Sequence, residues 1–251
     1  MMVMMGGRGP WVERFVITVT YSLVRLFIRW VGSVRITGKE NVPPGGGVLY
    51  LSNHISALDV FIIPYAIYSE QPQVVLRQIS KEEVLKIPVV GWWLTKLRAF
   101  PIKRGKADIG GIRAVENFIR ADQVIIYPEG TRSKDGKLGP GNRMVGKFIR
   151  SARPVVIPMA LKGTNRVVPV GETFPRRGVE IEVSFGPPLM LDEELAIENV
   201  RESSVRIIEK AMKGIASLLG EGVSAAAGPS KPAAGPSNAA EDQAKVGEAK
   251  A

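Results

Sequence analysis

The hydrophobic pattern divides the chain into short apolar runs and longer stretches with helical spacing. Val48-Leu49-Tyr50-Leu51, Val124-Ile125-Ile126-Tyr127 and Pro154 to Leu161 are unbroken apolar runs bounded by turn residues, the mark of strands buried on both faces. Val179 to Phe185 alternates and predicts a strand with one open face, and Val34 to Thr37, Gln73 to Ile79 and Ala99 to Ile102 are shorter strand candidates. Between them, Ile112, Val115, Phe118 and Ile119 lie on one face of a helix over 109–120. Val205, Ile208, Met212, Ile215 and Leu219 do so within one or two helices over 191–219. Arg143 to Ala152 predicts a further helix, and Ser80-Lys81-Glu82-Glu83 a capping box opening a short one. Strands alternating with helices indicate an α/β domain. Pro158 is awkward inside a central strand and predicts a bulge or an irregular rim there.

Trp11 to Gly32 has a different pattern. On a helical wheel Arg14, Thr18, Tyr21, Ser22, Arg25, Arg29 and Gly32 form one narrow stripe, and most of the remaining surface is apolar, including Trp11, Phe15, Phe27 and Trp30. An aromatic residue near each end and cations along the stripe suit a helix lying in the plane of a membrane interface. A core-packing helix is the plainer alternative. A spanning helix is disfavoured by the central arginines. The methionine- and glycine-rich residues before it lack the layout of a secretory signal. At the other end, residues 221–251 contain no aromatic residue, no Leu and no Ile, and repeat Ala-Gly-Pro-Ser twice. They predict a disordered tail. The expected organisation is an N-terminal membrane-interface helical segment over 1–33, an α/β domain over 34–220 and the tail.

Composition narrows the chemistry. The 251 residues include one histidine and no cysteine, which excludes a disulfide framework and disfavours a zinc or iron site; no metal site is expected. The net charge is +10 and the tail nets −1, so the basic excess belongs to the rest of the chain. Such a charge suits nucleic acid or anionic lipid. The cations share their stretches with wide apolar faces, and no nucleic-acid motif is present, so lipid is favoured and nucleic acid is not an expected partner.

The single histidine, His54, follows the first apolar run. Asp59 stands five residues on, where an apolar run opens a helix for which Ser56 is the candidate N-cap. Positions five apart on one helix point away from each other. With His54 before the helix and Asp59 in its first turn, the two meet, and the carboxylate orients the imidazole as a general base. The plainer reading is a capping or packing histidine. A second strand end carries Glu129-Gly130-Thr131-Arg132, either a surface turn or the lip of a ligand site. A basic cluster over 96–106 includes Lys103 and Arg104, either a solvated face or an anion site.

Taken together these residues resemble the glycerolipid acyltransferases. Asn53-His54 with Asp59 matches their His-x-x-x-x-Asp motif. Phe100-Pro101-Ile102-Lys103-Arg104 looks like the second block, Glu129-Gly130-Thr131-Arg132 the third and Val156-Ile157-Pro158 the fourth. All four stand in order between Val34 and Pro188, with one departure: Arg98 occupies a position where the pattern implies glycine. The resemblance is to the PlsC-like 1-acylglycerol-3-phosphate acyltransferases of bacteria. It implies a mixed, mostly parallel sheet flanked by helices, and a two-helix N-terminal element dipping into one leaflet at the cytoplasmic face of the inner membrane. It implies acyl transfer from acyl carrier protein or coenzyme A thioester to the sn-2 hydroxyl of lysophosphatidic acid, without a cofactor. His54 and Asp59 are then catalytic, and Lys103, Arg104, Glu129, Gly130, Thr131 and Arg132 hold the acceptor phosphate. Trp11, Phe15, Arg25, Phe27, Arg29 and Trp30 meet the membrane. Glycerol-3-phosphate or another lysophospholipid is the alternative acceptor, and a silent membrane-surface protein the alternative to an enzyme.

Overall fold

A computed structural model describes residues 5–102, 109–169, 172 and 174–220. Lys103 and Arg104 and the tail over 221–251 lie outside the described residues. In chain order the elements are α1 (Trp11–Val31), β1 (Gly32–Thr37), β2 (Val48–Ser52), α2 (Asp59–Glu70), β3 (Leu76–Lys81), α3 (Glu82–Leu85), α4 (Pro88–Lys96) and β4 (Ala99–Ile102). There follow α5 (Ile109–Ala121), β5 (Gln123–Ile126), α6 (Arg143–Ala152), β6 (Val155–Lys162), α7 (Thr164–Val167), β7 (Val179–Phe185), α8 (Asp192–Ala196) and α9 (Val200–Leu219).

Among the described residues the strands form one seven-stranded sheet in the order β1-β7-β6-β2-β5-β3-β4. Every neighbouring pair is parallel except β6 with β7, so the sheet is mixed and mostly parallel. Helices cover both faces, which is why β2 is buried at every position. Its alternation splits the core: Tyr50 points into a cluster with Ile17, Ile63, Ile125 and Ile157, while Leu49 and Leu51 join Ile119, Ile126, Ile149 and Ile207 on the other face.

Two prolines sit inside elements without breaking them. Pro64 lies inside α2, and the helix continues to Glu70. A proline at 64 cannot donate to the Val60 carbonyl one turn back, and Gln78 Nε2 donates to that oxygen instead at 3.0 Å. Pro158 lies within a continuous β6, without the predicted interruption. It pairs with Leu51 of β2, and the antiparallel ladder to β7 starts one residue later, at Met159. The residue lacking an N–H therefore falls just outside that ladder, and its carbonyl accepts from Gly186 N at 2.8 Å.

The N-terminal element is a single helix among the described residues before β1, rather than the expected pair. The wheel also assigned its faces differently from the fold. Thr18 and Tyr21, placed on the polar stripe, are buried, with Tyr21 packed at 5.1 Å on Tyr68 of α2. Arg25 and Arg29 of that stripe are exposed. So are apolar side chains: Trp11 is 70% exposed, Leu23 60% and Leu26 63%, and Phe15 and Trp30 are about half exposed. The apolar surface of α1 is wider than α2, α4 and β1 can cover, so part of it faces outward. No described helix is long and apolar enough to cross a membrane.

Arg98, between α4 and β4, has φ +61°. The glycine-type backbone is thus kept where the glycine is not. The left-handed conformation costs a non-glycine residue about 1–2 kcal/mol. The guanidinium is buried and donates from Nη1 to Gly6 O at 2.6 Å, from Nη2 to Arg8 O at 2.5 Å and from Nε to Glu13 Oε2 at 3.3 Å. At roughly 1.5–3 kcal/mol for each hydrogen bond from a charged group, these contacts outweigh the backbone cost.

Candidate active site

Strands β6, β2 and β5 are adjacent and parallel, so their C-terminal ends lie at one edge of the sheet. β2 delivers His54 and, through the following turn, Asp59. β5 delivers Tyr127 to Arg132, and β6 delivers Thr164. Asp59 is the first residue of α2, and its carboxylate is fully buried. His54 Nδ1 lies 2.8 Å from Asp59 Oδ2, and the same oxygen accepts from Ile55 N at 2.7 Å and Ser56 N at 2.8 Å. Ser56 does not cap α2; its hydroxyl accepts from Leu58 N at 3.2 Å within the turn, and the Asp59 carboxylate takes the amides of that turn.

Because a carboxylate only accepts, Nδ1 carries a hydrogen, and in the neutral ring the lone pair is then on Nε2. The imidazole is mostly covered, with 15% of its side-chain surface exposed, and one face stacks on Tyr127 at 4.1 Å between ring centres. Burial raises the Tyr127 phenol well above its ordinary value, with the Asp59 charge a smaller contribution in the same direction, so the ring against His54 is neutral. The site thus holds an imidazole oriented through Nδ1 by a buried acid.

Three groups that the sequence reading left without a role complete the support. Thr164 Oγ1 donates to the second oxygen of Asp59 at 2.6 Å and is itself fully buried. Asn53 imitates a strand residue: its Oδ1 accepts from Leu161 N at 2.8 Å and its Nδ2 donates to Leu161 O at 2.9 Å, joining the end of β2 to the end of β6. Tyr127 supplies the stacking face. The one signal for all three is position, since each lies at or just after the end of a buried apolar run.

Of the residues expected to hold the acceptor phosphate, the structure brings the third block beside His54. Glu129 accepts from His54 N at 3.0 Å through Oε1 and from Gly139 N at 2.9 Å through Oε2. Both oxygens are therefore engaged with backbone, and this acid fastens the loop to the His54 backbone. Burial raises its pKa above the usual carboxylate range, against the opposing effect of the two amide bonds. Gly130 has φ +70° in the turn closed by Gly130 N to Tyr127 O at 3.0 Å. Since a Cβ there would meet nothing within 4 Å, the glycine serves backbone conformation rather than space. Thr131 and Arg132 are exposed on a cleft of about 470 Å³ that Glu129, Lys134 and Lys137 also line. Among the described residues no acidic side chain forms an ion pair with Arg132. A second cavity, of about 500 Å³ and almost wholly apolar, runs between α1, α2 and α4, lined by Phe15, Val19 and Phe27 on one side and Leu58, Phe61 and Trp93 on the other. Leu58 is the neighbour of Asp59.

Comparison with known proteins places this geometry. The chain shares 34% identity over 142 residues with a chloroplastic 1-acyl-sn-glycerol-3-phosphate acyltransferase, BAT2, of Brassica napus, covering 54% of this chain and 39% of the relative. It shares 23% over 169 residues with the 1-acyl-sn-glycerol-3-phosphate acyltransferase of Bacillus subtilis, covering 67% and 79%. The chain thus spans about two fifths of the Brassica protein's length. The crystal structure of the 1-acyl-sn-glycerophosphate acyltransferase PlsC from Thermotoga maritima has the same fold, with a TM-score of 0.59, 21% identity and 80% of each chain covered. A family model described as Acyltransferase matches residues 33–162, the stretch that holds Asn53, His54, Asp59, Tyr127, Glu129 and Arg132, with Thr164 two residues beyond it. The chain belongs to the acyltransferase family.

Proposed function

We propose that the chain transfers a fatty acyl group from an acyl carrier protein or coenzyme A thioester to the sn-2 hydroxyl of lysophosphatidic acid, forming phosphatidic acid. The observation that carries this reading is the 2.8 Å contact between His54 Nδ1 and the fully buried Asp59, which leaves Nε2 as an oriented base. The hydroxyl proton passes to Nε2 as the alcohol oxygen bonds to the thioester carbonyl carbon. The C–S bond then breaks, and the leaving thiolate takes the proton back from the imidazolium. Asp59 stabilises that imidazolium without itself being protonated. General-base assistance of this type is worth about 10²–10⁴ in rate. The thioester is already activated, so no covalent enzyme intermediate is needed, and no cofactor.

Arg132 and Thr131 at the cleft, with Lys103 and Arg104 of the second block, bind the acceptor phosphate. Glu129 and Gly130 shape the loop that presents them. The apolar groove beside Leu58 takes an acyl chain. The outward apolar face of α1, with Trp11, Phe15 and Trp30 and the cations Arg25 and Arg29, rests on an anionic membrane surface at the cytoplasmic face of the inner membrane, while Phe27 is half-buried toward the groove. Relatives named 1-acyl-sn-glycerol-3-phosphate acyltransferases support the choice of acceptor. The test is an acyl-transfer assay with lysophosphatidic acid, glycerol-3-phosphate and neutral lysophospholipids against both donor types, with products weighed by mass spectrometry. Phosphatidic acid is the expected product. Transfer to glycerol-3-phosphate alone would replace the acceptor, and no transfer to any of them would remove the reading.

A further inference from the structure

We propose that Arg98 is a positioning residue that latches α1 over the apolar groove and thereby sets the enzyme's acyl-chain selectivity without touching substrate. The selectivity half rests on reading that groove as the acyl site.

The start of α1 has little to hold it locally. Its N-cap is Pro10, and no side chain caps the first turn. What holds it is Arg98, ninety residues away in sequence, through the carbonyls of Gly6 and Arg8 and the carboxylate of Glu13. The chain wraps closely around the guanidinium. A Cβ at Gly9 would stand 2.3 Å from Nη2, and one at Gly7 2.0 Å from Gln73 O. Gly6 N also donates to Pro72 O at 2.8 Å, so the wrapped segment is seated on the turn before β3. Further along the helix, Trp93 Nε1 donates to Thr20 Oγ1 at 3.0 Å.

These ties hold the wall of α1 that carries Phe15, Val16 and Val19 at a set distance from the wall that carries Leu58, Phe61 and Trp93. Arg98 does not line the groove; it holds one side of it in place. A rigid apolar wall discriminates chain length, at about 10–200-fold per methylene in a well-fitted pocket, and a wall free to move does not. The structure also explains why an arginine is tolerated in a left-handed backbone: the side chain has a local task that a glycine would leave undone.

The experiment compares the full chain with Arg98→Gly, which keeps the backbone conformation, Arg98→Lys, which keeps one cationic donor, and Glu13→Gln. Hydrogen exchange reads the latch without using activity. In Arg98→Gly the amides of the first two turns of α1 are expected to exchange about tenfold faster, with α6 and α9 unchanged. The kcat/KM ratio of long-chain to short-chain donor is expected to fall about fivefold or more, while kcat for the short-chain donor changes less than about twofold. Arg98→Lys should recover part of both effects, and Glu13→Gln should give a smaller version of them. Unchanged exchange in α1 would overturn the latch. Faster exchange with an unchanged chain-length ratio would overturn its role in selectivity. A wild-type chain that transfers no acyl group would overturn the functional reading and with it the selectivity half, while the exchange rates would still decide the latch.

Discussion

Two acids meet His54 from different elements, and they do different work. Asp59, on the corner between β2 and α2, accepts from the imidazole, two amides of its own turn and the Thr164 hydroxyl. Glu129, on the loop after β5, accepts from two amides alone, one of them the backbone of His54. The first acid orients the imidazole; the second fastens the backbone of His54 to the loop that carries Arg132. On the proposed reading of Arg132, the contrast teaches that a carboxylate beside a phosphate-binding residue need not meet the phosphate. A group with both oxygens taken by N–H donors shapes the loop, and the proposal leaves the attraction to the exposed cation next to it.

The sharpest way to break this contrast starts at the ring. His54→Ala is expected to lower turnover by about 10²–10⁴ while the circular dichroism spectrum is unchanged. Turnover near that of the wild type would mean that neither acid serves catalysis. Asp59→Asn should lower turnover by a comparable factor. Because an amide nitrogen would then meet donors inside a dry corner, it should also lose about 1–3 kcal/mol of stability in denaturant titration. A normal rate would show that ring and acid do not communicate.

Glu129→Gln is expected to cost about 10–100-fold in turnover, through displacement of the loop and the His54 backbone rather than loss of a base. It carries a pH signature as well. The fold holds the Glu129 proton to higher pH than the unfolded chain does. Folding therefore takes up a proton between the two values, and this group's contribution to stability grows as pH falls through that window. Melting curves of the glutamine variant should lack that component; an identical pH profile would assign Glu129 to an exposed, ordinary carboxylate. Arg132→Ala should raise KM for a phosphate-bearing acceptor about tenfold, the loss of one charge-assisted bond, with little change in KM for the donor. The reverse pattern would move Arg132 to the donor side. The smallest effect is expected at Thr164→Val, a few-fold loss of turnover from a less firmly held Asp59 and about 1 kcal/mol of stability. Rescue by Thr164→Ser, measured as turnover, separates the hydroxyl from the methyl group.

The strands around the site were legible because each is buried on both faces and therefore appears as an unbroken apolar run. β2 and β6 coincide with those runs to within about a residue, and α6 with its predicted bounds. Pro158 misled, and Pro64 is accommodated, for one shared reason. A proline's missing N–H matters only if a specific carbonyl or ladder position needs it, and Gln78 and the late start of the β7 ladder remove that need. The faces of α1 were misassigned because a wheel shows which residues are apolar and not which side a neighbour covers. Tyr68 and Thr18's backbone partners draw Tyr21 and Thr18 inward.

By itself the sequence determined the alternation of strands and helices, the family resemblance, and the meeting of His54 with Asp59. That last contact spans five residues, and a turn opening a helix closes it locally. Only the tertiary structure decided what supports the pair: Glu129 on the His54 backbone across 75 residues, Thr164 on Asp59 across 105, and Arg98 on Gly6 across 92. Contacts of that range leave no period in the sequence, because they depend on which parallel strands lie side by side and on which sheet edge they end.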